Sequence, residues 1–549
     1  MFKKYALHPK IILTGVIILA VLLSTNIYFV NKHYNTYSLT TLVLAKEIEI
    51  NGYLKDKPFN ITGTWQNDAN FRANRLAPPI ILFMLSKITN IDIFIIKFLP
   101  IGGFILSFVA LILAKEFVKY SIKNRNNIMM TTIVSLYVIF LTTTPQIIDK
   151  TDYSQFSLGF IYYIFFLILV IKMLHNNYKI IILPLVLFII ALNQSYYSTE
   201  FLALATIFGL LASFIIYSLY KRSYRNTNYI KVLTLMIITA IIFINFEPLV
   251  INYPRSNPNM FDKAVSTLKS YVTEIFNYFL KEDVSARLTY ENPMVLRLDS
   301  LIKATLITLI ISYLVNIMIN RNKESYAITA LSLAIIITSF TEILLYATTE
   351  ALSGFRYLIM FGSLISIYSA FRVSSRLFIQ NNIISLSLRY FLISLVILLI
   401  ASNSIRYILI FNDSNKEDYR KYINGLDFTI RTTNDGSHVV STHHVSALLF
   451  GYSTYYNKQY TVNIDQLAGM VHYLDNPKLF CSVAITQDID SFIALHNFAT
   501  RPIYGDLWIR ESTTRSPSDE IIPGLSSDSC FNRYYDDSII IDYYINRYR

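Results

Sequence analysis

Apolar residues in this chain fall in long blocks and not in alternation. Eleven blocks stand near the ~20 residues that cross a bilayer as a helix. They occupy 11–31, 94–114, 128–145, 156–174, 178–193, 199–220, 229–249, 299–320, 325–347, 355–372 and 388–411. Each predicts a transmembrane helix. The first follows Lys3, Lys4 and Lys10, as a signal peptide does. Its apolar stretch is too long for a secretory h-region and no small-residue cleavage site follows, so a retained signal-anchor helix is predicted. Pro78–Lys87 is apolar but too short to span, which predicts an interfacial or re-entrant segment.

Polar positions between the blocks set the expected orientation. With the N-terminus inside, Lys115, Lys119, Lys123 and Arg125, then Lys221, Arg222, Arg225 and Lys231, then Arg321, Lys323, Arg372 and Arg376 all fall on the cytoplasmic side. The expected layout is a membrane domain over 1–411 with outer loops at about 32–93 and 250–298, and an extracytoplasmic domain over 412–549. In that tail His438–Ser441, Gln459–Asn463, Phe480–Ile485 and Ser538–Tyr544 read as strands around an apolar run at Val445–Tyr452, predicting a small α/β domain.

Composition sharpens this picture. The 549 residues are 54% hydrophobic and 15% charged, against roughly 25% charged in soluble proteins, which excludes disorder and an ordinary soluble enzyme. The net charge of +12 divides unevenly: the tail carries −5, from 12 Lys and Arg against 17 Asp and Glu. The positive charge therefore lies in the membrane domain, where it meets anionic lipid, and a nucleic-acid partner is not expected. The two cysteines, Cys481 and Cys530, both lie in the tail. Outside the cell they can pair; two free thiols are the other reading. No Walker A, GxGxxG or CxxC motif is present, and no internal repeat.

Ionisable residues are scarce enough here to single out. Asp149 and Asp152, between the third and fourth blocks, could act as acid and base or hold a divalent metal such as Mg or Mn; a solvated turn beside Lys150 is the plain alternative. The first outer loop carries Glu47, Glu49, Asp56 and Asp68, together with Arg72 and Arg75. Those arginines precede Pro78-Pro79 and could clamp a lipid phosphate or anchor the loop to headgroups. Arg356, at the mouth of the tenth block, has the same two readings. Asn60-Ile-Thr62, Asn193-Gln-Ser195 and Asn412-Asp-Ser414 are possible glycan acceptors.

This layout of one helix, a large outer loop, many helices and an exterior C-terminal domain resembles the GT-C superfamily of membrane glycosyltransferases. RLAPPIILFMLSKITNIDIFIIKFLPIGGFILSFVALILAKEF resembles the family's Pro-rich juxtamembrane stretch and its following helix. TTTPQIIDKTDYSQFSLGFIYYIFFLILVIKML is similar to its outer loop entering helix four, and SGFRYLIMFGSLI to an Arg-Tyr/Phe phrase at a late helix mouth. CFNRYYDDSIIIDYY is similar to the closing strand pair of archaeal membrane proteins of this layout.

The resemblance implies transfer of a sugar from a polyprenyl-phosphate donor, at the outer membrane face, to a glycan, lipid or protein acceptor. Arg356, Arg72 and Arg75 would neutralise the lipid phosphate, and Asp152, Asp149, Asp68 or Glu47 would supply the catalytic carboxylate. The family usually places that carboxylate shortly after its first helix, and no acidic residue stands between Asn35 and Tyr37. A GT-C-shaped protein of envelope assembly that binds without transferring, and a transporter of lipid-linked saccharide, are therefore the alternatives. The tail has one tryptophan, Trp508, and no Trp-Trp-Asp phrase, which disfavours the oligosaccharyltransferase branch.

Overall fold

In hydrocarbon every backbone N–H and C=O must find its partner within the segment, so apolar blocks of this length fold as helices. The computed structural model describes residues 9–31, 39–53, 77–97, 99, 101–121, 127–144, 155–175, 178–195, 197–221, 226–245, 293–319, 326–349, 358–377, 383–414, 422–434, 436–440, 449, 461–462, 476–495, 521–536 and 540–545. The chain divides into two compact units. The first comprises Met1–Val30, Pro100–Val284 and Asn292–Ser414; the second comprises Asn31–Leu99, Ser285–Glu291 and Asn415–Arg549.

The first unit is a helical bundle. It contains α1 (Pro9–Asn31), α5 (Ile101–Ser121), α6 (Asn127–Thr142), α7 (Gln155–His175), α8 (Tyr178–Asn193), α9 (Tyr197–Lys221) and α10 (Asn226–Asn245). After these come α11 (Pro293–Ile319), α12 (Tyr326–Thr349), a π-turn at Leu358–Gly362 leading into α13 (Ser363–Leu377), and α14 (Ile383–Ser414). Each of the eleven apolar blocks thus contains helix. Four helical stretches are long and apolar enough to cross a membrane among the described residues: Ile95–Ser121, Ser157–His175, Arg297–Met318 and Leu386–Leu409. The second block begins differently from its expectation. A short helix, α4 (Ile93–Lys97), precedes Pro100, and α5 restarts beyond it. Proline lacks the N–H that a continuous helix needs and disfavours helical backbone in the residue before it.

Packing in the bundle uses small residues and buried hydroxyls. Gly209 on α9 lies so close to α12 that a Cβ there would stand 3.0 Å from the Ala334 carbonyl oxygen and 3.1 Å from its Cα. Close backbone approach of this kind is a usual device of helices in lipid. Deeper in, the Tyr163 and Thr206 hydroxyls are 2.7 Å apart, and the Thr338 hydroxyl lies 3.5 Å from Thr206. Both threonines also bond back to the carbonyl four residues earlier, so no hydroxyl of the set is left bare in the apolar core. The π-turn leaves the Met360 carbonyl to accept from the Tyr137 hydroxyl and the Ser363 hydroxyl, each at 3.1 Å.

The second unit contains α2 (Leu39–Asn51) packed on α3 (Ala77–Thr89) and α4, and a C-terminal α/β fold. The C-terminal elements are α15 (Tyr422–Thr432), β1 (His438–Val440), β2 (Thr461–Val462), α16 (Pro477–Thr486), β3 (Ser491–Leu495), α17 (Ile521–Ser527), β4 (Phe531–Asp536) and β5 (Ile540–Ile545). The sheet runs β2-β1-β3-β5-β4, parallel across its first three strands and antiparallel across the last two pairings. The expected strands at 438–441, 459–463 and 538–544 are present in shortened or shifted form. Phe480–Ile485 is a helix instead. Asn476 caps it, accepting from the Leu479 N–H at 3.2 Å, and Pro477 follows in the first turn. Phe480 and Ala484, one helical turn apart, are its buried face. Phe480 packs on Phe492 of β3 and Phe531 of β4, with ring centroids 5.1 and 5.6 Å away. A disulfide joins Cys481 to Cys530, tying α16 to the residue before β4.

Two consequences can be measured. Gly209→Ala forces backbone apart and should lower stability in detergent by about 1–3 kcal/mol. Gly15→Ala, where a Cβ would meet nothing within 4 Å, should be neutral or stabilising by up to about 1 kcal/mol; equal thermal shifts for the two would refute the close α9–α12 contact. In the second unit, burial pushes the Tyr543 phenol above its ordinary value, opposed by its 2.8 Å hydrogen bond with Ser526. A raised phenol stabilises the fold fully below the unfolded value of about 10, and that stability is lost as pH rises through the folded one. Tyr543→Phe should remove part of the alkaline loss of thermal stability.

Candidate functional site

At one end of the bundle the end of α6 meets α14, and polar side chains of both helices join there. The last carbonyls of a helix lack backbone donors and need other partners. At the end of α6 the run Thr142, Thr143 and Thr144 turns its hydroxyls back onto the carbonyls of Val138, Ile139 and Phe140 at 2.8, 2.8 and 2.7 Å. Asn403, fully buried on α14, completes the end. Its amide nitrogen lies 2.9 Å from the Phe140 carbonyl, 2.8 Å from Thr143 Oγ1 and 3.4 Å from Thr144 Oγ1. The segment bearing Asp149 and Asp152 follows in the chain.

One turn along α14, Arg406 and Tyr407 share the Asn403 face. Arg406 Nη1 is 2.5 Å from Asp299 Oδ1, and Lys303 Nζ is 2.6 Å from Asp299 Oδ2. Asp299 and Lys303 stand four apart on α11. The Tyr407 hydroxyl donates to the Leu23 carbonyl of α1 at 3.3 Å. Side-chain exposure is 4% for Arg406, 19% for Asp299 and 22% for Lys303, so the guanidinium is the inner member. Charges this close to hydrocarbon are retained only when paired, and they mark functional positions more often than surface charges do. The opposite end has a different character: Lys231 Nζ caps the Met173 and Leu174 carbonyls at 2.9 and 3.4 Å, and the His175 ring stacks on Tyr120 at 4.2 Å.

Of the catalytic and phosphate-binding residues expected from the sequence, Glu47 alone is described. It is buried on α2, in the second unit. Two residues on, Glu49 pairs with Lys46 at 2.7 Å and Lys87 at 3.2 Å. The hydrogen bond from Lys46, against partial burial, holds the Glu49 carboxyl below its ordinary value, so it is charged at neutral pH. Asp149, Asp152, Asp68, Arg356, Arg72 and Arg75 lie outside the described residues. Among the described residues no group of three or more His, Cys, Asp or Glu is placed to hold a metal ion. Asn193 is 1% exposed and accepts from Gln194 Nε2 at 2.8 Å, which corrects the reading of its triplet as a glycan acceptor.

Sequence reasoning passed over Asp299, Lys303, Asn403 and Arg406. The signal was present: ionisable residues inside two otherwise apolar blocks, with Asp and Lys at the i, i+4 spacing of a helical pair. Removing the Asn403 amide tests this end of the bundle. Asn403→Leu should cost about 1 kcal/mol of stability, the scale of interhelical hydrogen bonds in lipid. Asn403→Asp should cost more, since it offers the Phe140 carbonyl no donor when ionised. Unchanged unfolding temperatures in both would discount the contact.

No protein-family model matches the chain, and no curated protein sequence is similar to it. Among solved structures its fold is similar to that of the Archaeoglobus fulgidus oligosaccharyltransferase. The apo form of that protein superposes with a TM-score of 0.50 at 11% identity, covering 100% of this chain and 75% of that one. Its complex with Zn and sulfate gives 0.50 at 12%, covering 96% and 73%. The form tethered through a disulfide to an acceptor peptide containing the NVT sequon gives 0.50 at 11%, covering 88% and 69%. At these identities the likeness is one of fold. The chain is a helical membrane protein with a C-terminal α/β fold, and its fold is like that of this oligosaccharyltransferase.

Proposed function

We propose that this protein is a membrane glycosyltransferase that takes a sugar from a polyprenyl-phosphate donor at the extracytoplasmic face, the N-terminus lying inside. The observation that carries the reading is a fold like that of an oligosaccharyltransferase across the whole chain. The gathering of Asn403, Asp299 and Arg406 at the bundle end where the 145–154 segment leaves supports it.

In the reaction so proposed, Asp152, with Asp149, Asp68 or Glu47 as the other candidates, takes the proton from the acceptor nucleophile. That nucleophile attacks the anomeric carbon of the donor sugar, the bond from that carbon to the phosphate oxygen breaks, and the lipid phosphate leaves with the electron pair. Arg356, Arg72 and Arg75 neutralise the charge that develops on the phosphate. A divalent ion, Mg or Mn, would supply Lewis acidity if Asp149 and Asp152 bind one.

The acceptor is a glycan, a lipid or a protein. The similar solved structure carries an acceptor peptide with an NVT sequon, and that makes a peptide the first acceptor to try, although the tail lacks a Trp-Trp-Asp phrase.

Purified protein incubated with a panel of polyprenyl-phosphate sugars, with sequon peptide and lipid acceptors, and with and without Mg²⁺ or Mn²⁺, tests the reading. Transfer from one donor is expected, with Asp152→Asn and Arg356→Ala each reducing it by about 10²-fold or more. Full activity in both variants would dismiss those roles. Donor binding without turnover would favour the non-catalytic assembly protein, and the carboxylate lacking between Asn35 and Tyr37 would be its cause.

A further inference from the structure

The helix pair α3–α4 in the second unit carries a row of apolar side chains on its open side. Ile80, Met84 and Ile88 stand four residues apart on α3, so they share one face, and all three are exposed. Asn90, in the left-handed region at φ 55°, ends the helix. The Ser86 hydroxyl donates to the Ile91 carbonyl at 2.7 Å and closes the turn. The row then resumes with Ile91 and, four residues on, Ile95 of α4, both exposed. The opposite face of α3 is closed, with Pro78, Pro79, Leu82 and Ser86 buried. Ile88 is 76% exposed, as open as Ile180 at 77% on the apolar helix α8. An apolar row of this length on a surface marks a membrane or a protein partner.

Chain continuity and charge both point to the membrane. Ile95, the last member of the row, is also the first residue of the apolar span Ile95–Ser121, so the row ends at a bilayer boundary. Seven residues separate Ile88 from Ile95, a reach of at most about 25 Å, and the helical turn of α4 shortens it. The polar neighbours flank the row without interrupting it. Lys87, with its side chain 57% exposed, reaches Glu49 of α2 at 3.2 Å, and its Nζ lies 5.5 Å from the centre of the Phe83 ring. A long basic side chain at the edge of an apolar stripe is the arrangement of a helix lying at a membrane surface. Entry end-on suits α3 poorly. Its 13 residues measure about 20 Å against a hydrocarbon core of ~30 Å, and it would carry the Lys87–Glu49 pair into hydrocarbon.

We propose that the Ile80–Met84–Ile88 face of α3, continued by Ile91, is a docking face for the bilayer surface. The helix lies flat in one leaflet, with its apolar row among the upper acyl chains and Lys87 at the headgroups. Because α2 packs on α3, docking also fixes the height of Glu47 above the leaflet. The docking face does not depend on the transfer reaction and stands whether or not the protein is an enzyme.

The test is spin labelling of the full-length protein in phosphatidylcholine nanodiscs. The two native cysteines are joined to each other, so Ile80→Cys, Met84→Cys and Ile88→Cys each offer one reactive thiol. Leu187→Cys on α8 serves as the hydrocarbon reference and Lys478→Cys on α16 as the water reference. Collision with oxygen, which concentrates in hydrocarbon, is compared with collision with a water-soluble nickel chelate. All three α3 labels should favour oxygen as Leu187→Cys does, at one common depth of about 5–10 Å below the headgroups. Labels that favour nickel as Lys478→Cys does would show a face open to water and overturn the proposal. Labels reached by neither reagent would show a face covered by protein, a second copy included, and overturn it as well. Depths that step by about 6 Å from each position to the next would show end-on entry and overturn it too. Should one variant not fold, the other two give the same comparison of depths.

Discussion

Asp299 stands where α11 begins its span and Arg406 where α14 ends its own, and their contact pins those two ends at one depth. A lone charge so near hydrocarbon would pull its helix towards water, so each residue fixes the vertical position of the other's helix. Asn403 makes the second fastening on the same face of α14, holding the end of α6 through the Phe140 carbonyl and the threonines after it. Tyr407 adds α1 through the Leu23 carbonyl. Four helices are therefore set against one another at one end by three polar residues of α14, Asn403, Arg406 and Tyr407. The rest of the bundle is positioned by apolar packing and by hydroxyls that mostly return to their own helices.

Much of this architecture was legible in the sequence because hydrocarbon allows few alternatives. An apolar block of about 20 residues can satisfy its backbone only as a helix, so the eleven blocks coincide with helices despite shifts at their ends. Pro100 divides the second block, and the local rule for proline explains why. Legibility falls in the C-terminal α/β fold, where short apolar runs suit strand or helix alike. Phe480–Ile485 has strand-like residues, but the capping Asn476 and Pro477 before it decide for helix. The strand Ser491–Leu495 is a brief apolar run whose place is fixed by pairing with β1 and β5, residues distant in the chain.

The site was less legible than the fold. Scarcity of charge points correctly to ionisable residues as informative, but residues at loop ends draw attention before those inside apolar blocks. Asp299, Lys303 and Arg406 pair across the gap between the eighth and eleventh blocks, a contact that no local pattern carries. Asn403 is harder still: a neutral amide in an apolar helix gains meaning only when a neighbouring helix ends beside it. The Asp299–Lys303 spacing was the one local cue.

In the proposed reaction the donor phosphate reaches the end of the bundle that holds Thr143, Asn403 and Asp299. A polyprenyl phosphate bearing a photoreactive diazirine on the isoprene next to the phosphate, bound to the full-length protein and irradiated, reports that end directly. Peptides covering residues 140–160 and 350–362 should carry the label. Labelling confined to residues 118–126, 172–178 and 222–231, at the end capped by Lys231, would contradict the account.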